Sequence, residues 1–109
     1  MRAENIFSSI PENLVDESVE LLLRGESVRV ERIISKGHVS PATGWYDQED
    51  DEWVLLLTGA AIIAFENDID LNLVAGDHIK IPAHTRHKVK WTDPEAETVW
   101  LAIHYRSLG

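Results

Sequence analysis

Three side chains in the middle of the sequence have the chemistry of a metal-binding or proton-transferring site: Glu52, His84 and His87. A carboxylate and neutral imidazoles can bind a divalent metal ion or move a proton. Each residue also has a structural interpretation. Glu52 ends an acidic run over residues 47–52, and runs of charge are usually solvated. A single histidine on an apolar strand face, such as His87, is commonly a hydrogen-bonded core residue.

No other catalytic pattern stands out. The 109 residues include no cysteine, so disulfide bonds and thiolate chemistry are excluded. The sequence has no G-x-S-x-G nucleophile elbow and no glycine-rich phosphate loop. The chemistry of the chain therefore depends on its carboxylates and imidazoles.

The charge balance indicates which partners to expect. With 19 acidic and 10 basic side chains, the formal net charge is −9. This disfavours nucleic acid, because phosphate binding depends on clustered Lys and Arg. The longest apolar run, residues 60–65, has the length of a strand rather than of a membrane-spanning helix, and no apolar signal core follows the N-terminus. We therefore expect a cytoplasmic protein with a small-molecule ligand and with no nucleic-acid or membrane partner.

Short segments in which apolar and polar residues alternate are separated by turn residues, which is the pattern of β-strands. The predicted strands cover residues 19–24, 27–34, 53–57, 61–66, 71–74, 78–81, 87–91 and 98–105. Pro11 allows a short helical turn at residues 9–13, although a packed lead-in is favoured there. A helix over residues 14–23 is the alternative to the first strand. Regularly spaced short strands are typical of a sandwich or barrel.

These segments together predict the fold class. We expect an all-β protein, a single antiparallel β-barrel or jelly roll, with residues 1–109 as one domain. Alternation along the seventh strand places His87, Val89 and Trp91 on the same inward face. His104 on the last strand lies either in the pocket or at an interface.

The spacing of five residues resembles the cupin superfamily. Its first motif ends in E-x6-G, which Glu52 and Gly59 match. Its second motif is G-x5-P-x-G-x2-H-x3-N, and Gly76, Pro82 and His87 match its first glycine, its proline and its histidine. The resemblance covers residues 46–91 directly and implies a barrel with a pocket around the matched glutamate and histidine.

The sequence also departs from the family pattern. The positions of the two first-motif histidines hold Tyr46 and Gln48, and Ser40 stands where the family has glycine. In the second motif, His84 replaces the glycine and Trp91 replaces the asparagine. Two of the family's usual metal ligands are therefore missing.

What the resemblance implies is a divalent metal ion inside the barrel: zinc, manganese, iron or nickel. Gln48, Glu52, His84 and His87 are the implied ligands, and Asp47 substitutes for Gln48 if the strand ends one residue differently. Tyr46 is expected to line the pocket.

Trp91 is expected to line the same pocket. The resemblance further implies oxygenase, isomerase or decarboxylase chemistry on a small organic substrate, and a homodimer. The alternative is a non-catalytic cupin that binds or senses a small molecule and has lost tight metal binding. The sequence leaves open whether the protein is an enzyme.

Overall fold

Eight antiparallel strands make up the fold in the computed structural model, which describes residues 1–107. The strands are β1 (Ser18–Arg24), β2 (Val28–Ser35), β3 (Asp51–Thr58), β4 (Ala60–Phe65), β5 (Leu71–Val74), β6 (His78–Ile81), β7 (His87–Thr92) and β8 (Thr98–Tyr105). One sheet has the order β1-β2-β8-β3-β6 and the other the order β5-β4-β7. The prediction of an all-β antiparallel barrel is confirmed.

The N-terminal region decides between the alternatives that the sequence leaves open. β1 pairs with β2, so the alternative of a helix over residues 14–23 is wrong. The helical turn that Pro11 allows at residues 9–13 does not form, which agrees with the favoured interpretation of a lead-in. The chain here is a lead-in held from the side, because the guanidinium of Arg32 donates hydrogen bonds to the carbonyls of Ile6 (3.0 Å) and Ser8 (2.5 Å). None of the described residues forms a helix long and apolar enough to cross a membrane.

The hydrophobic core lies between the two sheets. Alternation along β3 turns Val54 and Leu56 inward, where they meet residues from β4, β5, β6 and β8. The buried residues of this cluster are Val54, Leu56, Ala61, Ile63, Leu73, Ile81 and Trp100. Burial of apolar area of this kind is the main stabilising contribution in a small domain.

The register of β3 against β8 sets the position of the polar residues. Leu56 is opposite Trp100 in the core, and Glu52 is opposite His104 two inward positions further along. Side chains at alternate positions of a strand share a face. Glu52 and His104 therefore extend the inner face of the sheet beyond the apolar core.

Candidate functional site

A cavity of about 430 Å³ opens between the sheets and is lined by both apolar and polar side chains. Cavities of this volume are in the range that takes small organic ligands. The apolar lining residues are Val19, Ile33, Val39, Val54, Ile63, Ile81, Val89, Trp100 and Ala102. The polar lining residues are Asp16, Glu17, Arg29, Glu31, His38, Ser40, Tyr46, Gln48, Glu52, His87 and His104.

Glu52 and His87 meet in this cavity, as the motif spacing predicts. They are 8% and 6% exposed, and Nε2 of His87 lies 3.5 Å from Oε1 of Glu52. The Nδ1 atom of His87 is 2.8 Å from the carbonyl oxygen of Thr85 and donates a hydrogen bond to it. This bond fixes the orientation of the ring and leaves Nε2 facing Glu52.

The pKa of His87 reflects two opposing effects. Burial lowers it, because the charged imidazole loses its hydration. The hydrogen bonds to Glu52 and to the Thr85 carbonyl, together with the negative charge of Glu52, favour the charged form. The result is a pKa above the ordinary value of 6.5.

His104 is a second histidine against the same carboxylate. Its Nε2 atom is 3.1 Å from Oε1 of Glu31 and 3.7 Å from Oε2 of Glu52. Glu31 also pairs with Arg29, at 3.3 Å from its Nε atom. His104 is 6% exposed, and its buried Nδ1 atom has no hydrogen-bond partner among residues 1–107. Glu52 therefore lies between two imidazoles, one of which carries its own carboxylate neighbour.

The segment before β3 brings two further predicted residues to the cavity. Tyr46 forms a β-bridge with His87 and its ring centroid is 5.8 Å from that of His87. Tyr46 and Gln48 both line the cavity. Asp47, between them, points to the other side, where its carboxylate contacts His84. Gln48 rather than Asp47 therefore faces the pocket.

His84 does not join the cavity residues, which corrects its assignment as a metal ligand. Its side chain is 66% exposed, and its Nδ1 atom pairs with Asp47 at 2.9 Å. The backbone of His84 has a positive φ of 61°, the conformation of the glycine that the motif has at this place. This loop geometry directs the imidazole to the surface and away from Glu52.

Trp91 also lies outside the cavity, so its prediction as a pocket-lining residue is wrong. The register between β4 and β7 shifts between Ile62 and Ile63, which are opposite Trp91 and Val89 respectively. Lys90 is the extra residue of this bulge, and an extra residue reverses the alternation beyond it. Trp91 consequently faces outward and is 39% exposed.

The donor set can be compared with the metal that the resemblance implies. Within residues 1–107, no three His, Cys, Asp or Glu side chains converge as they do in a metal centre. Glu52 and His87 supply one carboxylate and one imidazole, and the bond from Nδ1 of His87 to a backbone carbonyl is the usual support of a metal-binding histidine. Gln48 lines the same cavity, and its amide oxygen would be a third donor. These residues fit a site with two strong ligands and one weak one.

Solved structures provide the comparison with known proteins. The chain superposes on a candidate mannose-6-phosphate isomerase from Ralstonia eutropha JMP134 with a TM-score of 0.93 and 41% identity, covering 98% of this chain and 100% of the other. A cupin superfamily protein from Desulfitobacterium hafniense DCB-2 superposes with a TM-score of 0.73 and 21% identity, covering 90% of this chain and 84% of that one. The chain belongs to the cupin superfamily.

A more distant cupin has the same fold. An RmlC-like cupin with a double-stranded β-helix fold, from Methanocaldococcus jannaschii, gives a TM-score of 0.70 at 14% identity and covers 89% of this chain and 86% of its own. No family model matches the sequence, and no curated protein does.

Sequence reasoning about this cupin missed Glu31 and left His104 undecided. Both face inward by the alternation of their strands, which is visible in the sequence. The contacts of His104 with both Glu31 and Glu52 depend on the register of β2 and β3 against β8, and no sequence motif marks that register.

Proposed function

We propose that this cupin binds a divalent metal ion in the barrel cavity and acts there as an isomerase, moving a proton within a small organic substrate. The observation that carries the proposal is the position of Glu52, buried between the Nε2 atoms of His87 and His104. Paired acidic and basic groups in a cavity suit proton transfer.

On one side of Glu52, the metal would be held by Glu52, His87 and the amide oxygen of Gln48. Nitrogen and oxygen donors of this kind suit zinc, manganese, iron or nickel. A bound divalent ion would act as a Lewis acid on a carbonyl or hydroxyl oxygen of the substrate. The Thr85 carbonyl keeps the imidazole of His87 directed into the cavity.

On the other side, Glu31 and His104 would handle the proton. His104 would take the proton from one carbon of the substrate at Nε2 and return it to the neighbouring carbon, and between these two steps the charged imidazole would pair with Oε1 of Glu31, which lies 3.1 Å from Nε2. The Glu31 carboxylate then stabilises the charged imidazole and sets its orientation. The proposed isomerase class is also that of the Ralstonia eutropha relative, whose name proposes mannose-6-phosphate isomerase activity.

Turnover in deuterated water tests this proposal. The metal-loaded protein is incubated with mannose or mannose 6-phosphate, and NMR follows the ketose product and the uptake of deuterium at the carbon next to the carbonyl. His104→Gln is expected to lose most of the turnover while keeping its metal, because its amide cannot be protonated as an imidazole is. His78→Gln, at an exposed histidine outside the cavity, is the matched control. Unchanged turnover in His104→Gln, or no exchange with either sugar, would contradict the proposal.

A non-catalytic cupin that binds a small molecule is the second candidate function. It is favoured by Tyr46 and Gln48, which occupy the positions of the two first-motif histidines and leave the metal with fewer strong ligands. Binding of a small molecule in the cavity, with no proton exchange in wild-type protein, would support this alternative.

We also propose that the protein forms a homodimer through β1. This strand lies at the edge of its sheet, and its apolar side chains are exposed. Val19, Leu21, Leu22 and Leu23 are between 40% and 59% exposed. Edge strands with unpaired backbone groups and apolar side chains readily pair with another chain.

A further inference from the structure

Negatively charged side chains outnumber positively charged ones around the cavity, and this excess determines which class of molecule the cavity accepts. Four carboxylates line it, at Asp16, Glu17, Glu31 and Glu52, whereas Arg29 is the one Lys or Arg among the lining residues of the described chain. The Nε atom of Arg29 is already paired with Glu31 at 3.3 Å. The cavity therefore offers little positive charge to an anionic ligand.

The three imidazoles of the lining do not reverse this balance. His38 accepts a hydrogen bond at Nδ1 from the backbone N–H of Lys36, at 2.9 Å, so this ring is neutral. The summed formal charge of the lining residues stays negative when both His87 and His104 are protonated. A divalent metal ion at Glu52 and His87 raises this sum no higher than zero.

The polar groups of the lining indicate which kind of uncharged ligand fits. Glu31, Gln48 and Glu52 bring carboxylate and amide groups to the cavity, and His104, which is 6% exposed, brings its imidazole. A ligand with hydroxyl groups can donate to the carboxylates and can both donate to and accept from the amide.

Apolar side chains form the rest of the lining. Val54 and Trp100 lie on the same strands as Glu52 and His104, and Ile63 and Val89 come from the other sheet. A molecule that carries both hydroxyl and C–H groups matches this mixed lining. A phosphate ester would instead bring a charge of about −1.5 to −2 close to several carboxylates. Phosphates are normally bound by unpaired Arg or Lys or by a helix N-terminus.

We infer that the cavity selects an uncharged molecule rich in hydroxyl groups, of the class of free sugars and polyols, over the corresponding phosphate ester. Glu31 is the specificity residue, because it neutralises Arg29 and adds a carboxylate beside His104. The inference rests on the cavity being the site of the function proposed above. It differs from what the name of the Ralstonia eutropha relative alone would indicate.

Calorimetric titration of metal-loaded protein with mannose and with mannose 6-phosphate tests the inference. Because like charges placed together repel, we expect mannose to bind at least about tenfold more tightly than its phosphate ester. Glu31→Gln removes the carboxylate and frees Arg29, and should reduce that preference about tenfold or reverse it. Glu95→Gln, at an exposed turn residue outside the cavity, makes the same change in net charge and should leave the preference unaltered.

Three results would overturn the inference: equal or tighter binding of the phosphate ester to wild-type protein, an unchanged preference in Glu31→Gln, or binding of neither sugar. Metal content measured on the same samples separates this failure from that of the proposed function. If wild-type protein keeps its metal and turns over the phosphate ester, the isomerase proposal stands and the proposed selectivity for uncharged ligands is excluded.

Discussion

Substitution of the two motif glycines by alanine should destabilise the protein to different degrees. Gly59, which connects β3 to β4, has a φ of 91°, and Gly76, which precedes β6, has a φ of 94°. An alanine at either position pays about 1–2 kcal/mol for the left-handed conformation. The two sites differ in the space available for the added Cβ atom.

At Gly59, an added Cβ would lie 2.6 Å from the Cα atom of Thr98. At Gly76, apart from the adjacent residues of the chain, no atom of the described part of the protein lies within 4 Å of the added Cβ. Forcing an extra carbon into a packed site costs about a further 1–3 kcal/mol. We therefore expect Gly59→Ala to lower the free energy of unfolding by about 2–5 kcal/mol and Gly76→Ala by about 1–2 kcal/mol.

Urea unfolding followed by circular dichroism measures both values, provided that the dependence of the free energy on urea is the same in each variant. Thr98→Ala should fail to rescue Gly59→Ala, because the clash with the Cα atom of residue 98 remains. Equal destabilisation by the two alanine variants, or full rescue by Thr98→Ala, would refute the steric explanation of the glycine at this motif position.

Two further predictions concern the buried pair and the edge strand. Because the pKa of His87 is raised, the protonated imidazole stabilises the metal-free fold. This contribution to the free energy of unfolding is fully present at pH values below the ordinary pKa of 6.5 and is lost as the pH rises through the raised pKa. Urea unfolding at a series of pH values should show this decline in the free energy of unfolding, and the decline should be smaller in Glu52→Gln. The same decline in both proteins would argue against the pair of Glu52 and His87 as its source. The double variant Leu21→Arg and Leu23→Arg should convert the homodimer to a monomer in light scattering, whereas Val15→Arg, outside β1, should not. A monomeric wild type, or a dimeric double variant, would exclude pairing through this strand.

The strands could be predicted from the sequence because alternation and turn residues are local signals. The predicted hairpin of residues 61–66 and 71–74 is present as β4 and β5, which pair with each other. Residues 87–91 and 98–105 likewise correspond to β7 and β8. The choice of a strand over a helix at residues 19–24 depended on pairing with β2, which is not local.

The candidate site could be predicted only in part. The motif spacing indicated Glu52 and His87, and the structure brings these two together. Trp91 was misplaced because a bulge at Lys90 has no clear sequence signal and reverses the alternation. His84 was misplaced because the direction of a loop side chain depends on its backbone φ and on Asp47 as a partner.

Metal content after purification tests the central proposal most directly. Wild-type protein, Glu52→Ala, His87→Ala and His84→Ala are purified without added metal and measured by plasma mass spectrometry, with circular dichroism to confirm that each is folded. The account predicts bound divalent metal in wild type and in His84→Ala, since His84 lies outside the cavity, and its loss in Glu52→Ala and His87→Ala. Equal metal content in all four proteins, or loss in His84→Ala alone, would contradict a metal site built on Glu52 and His87.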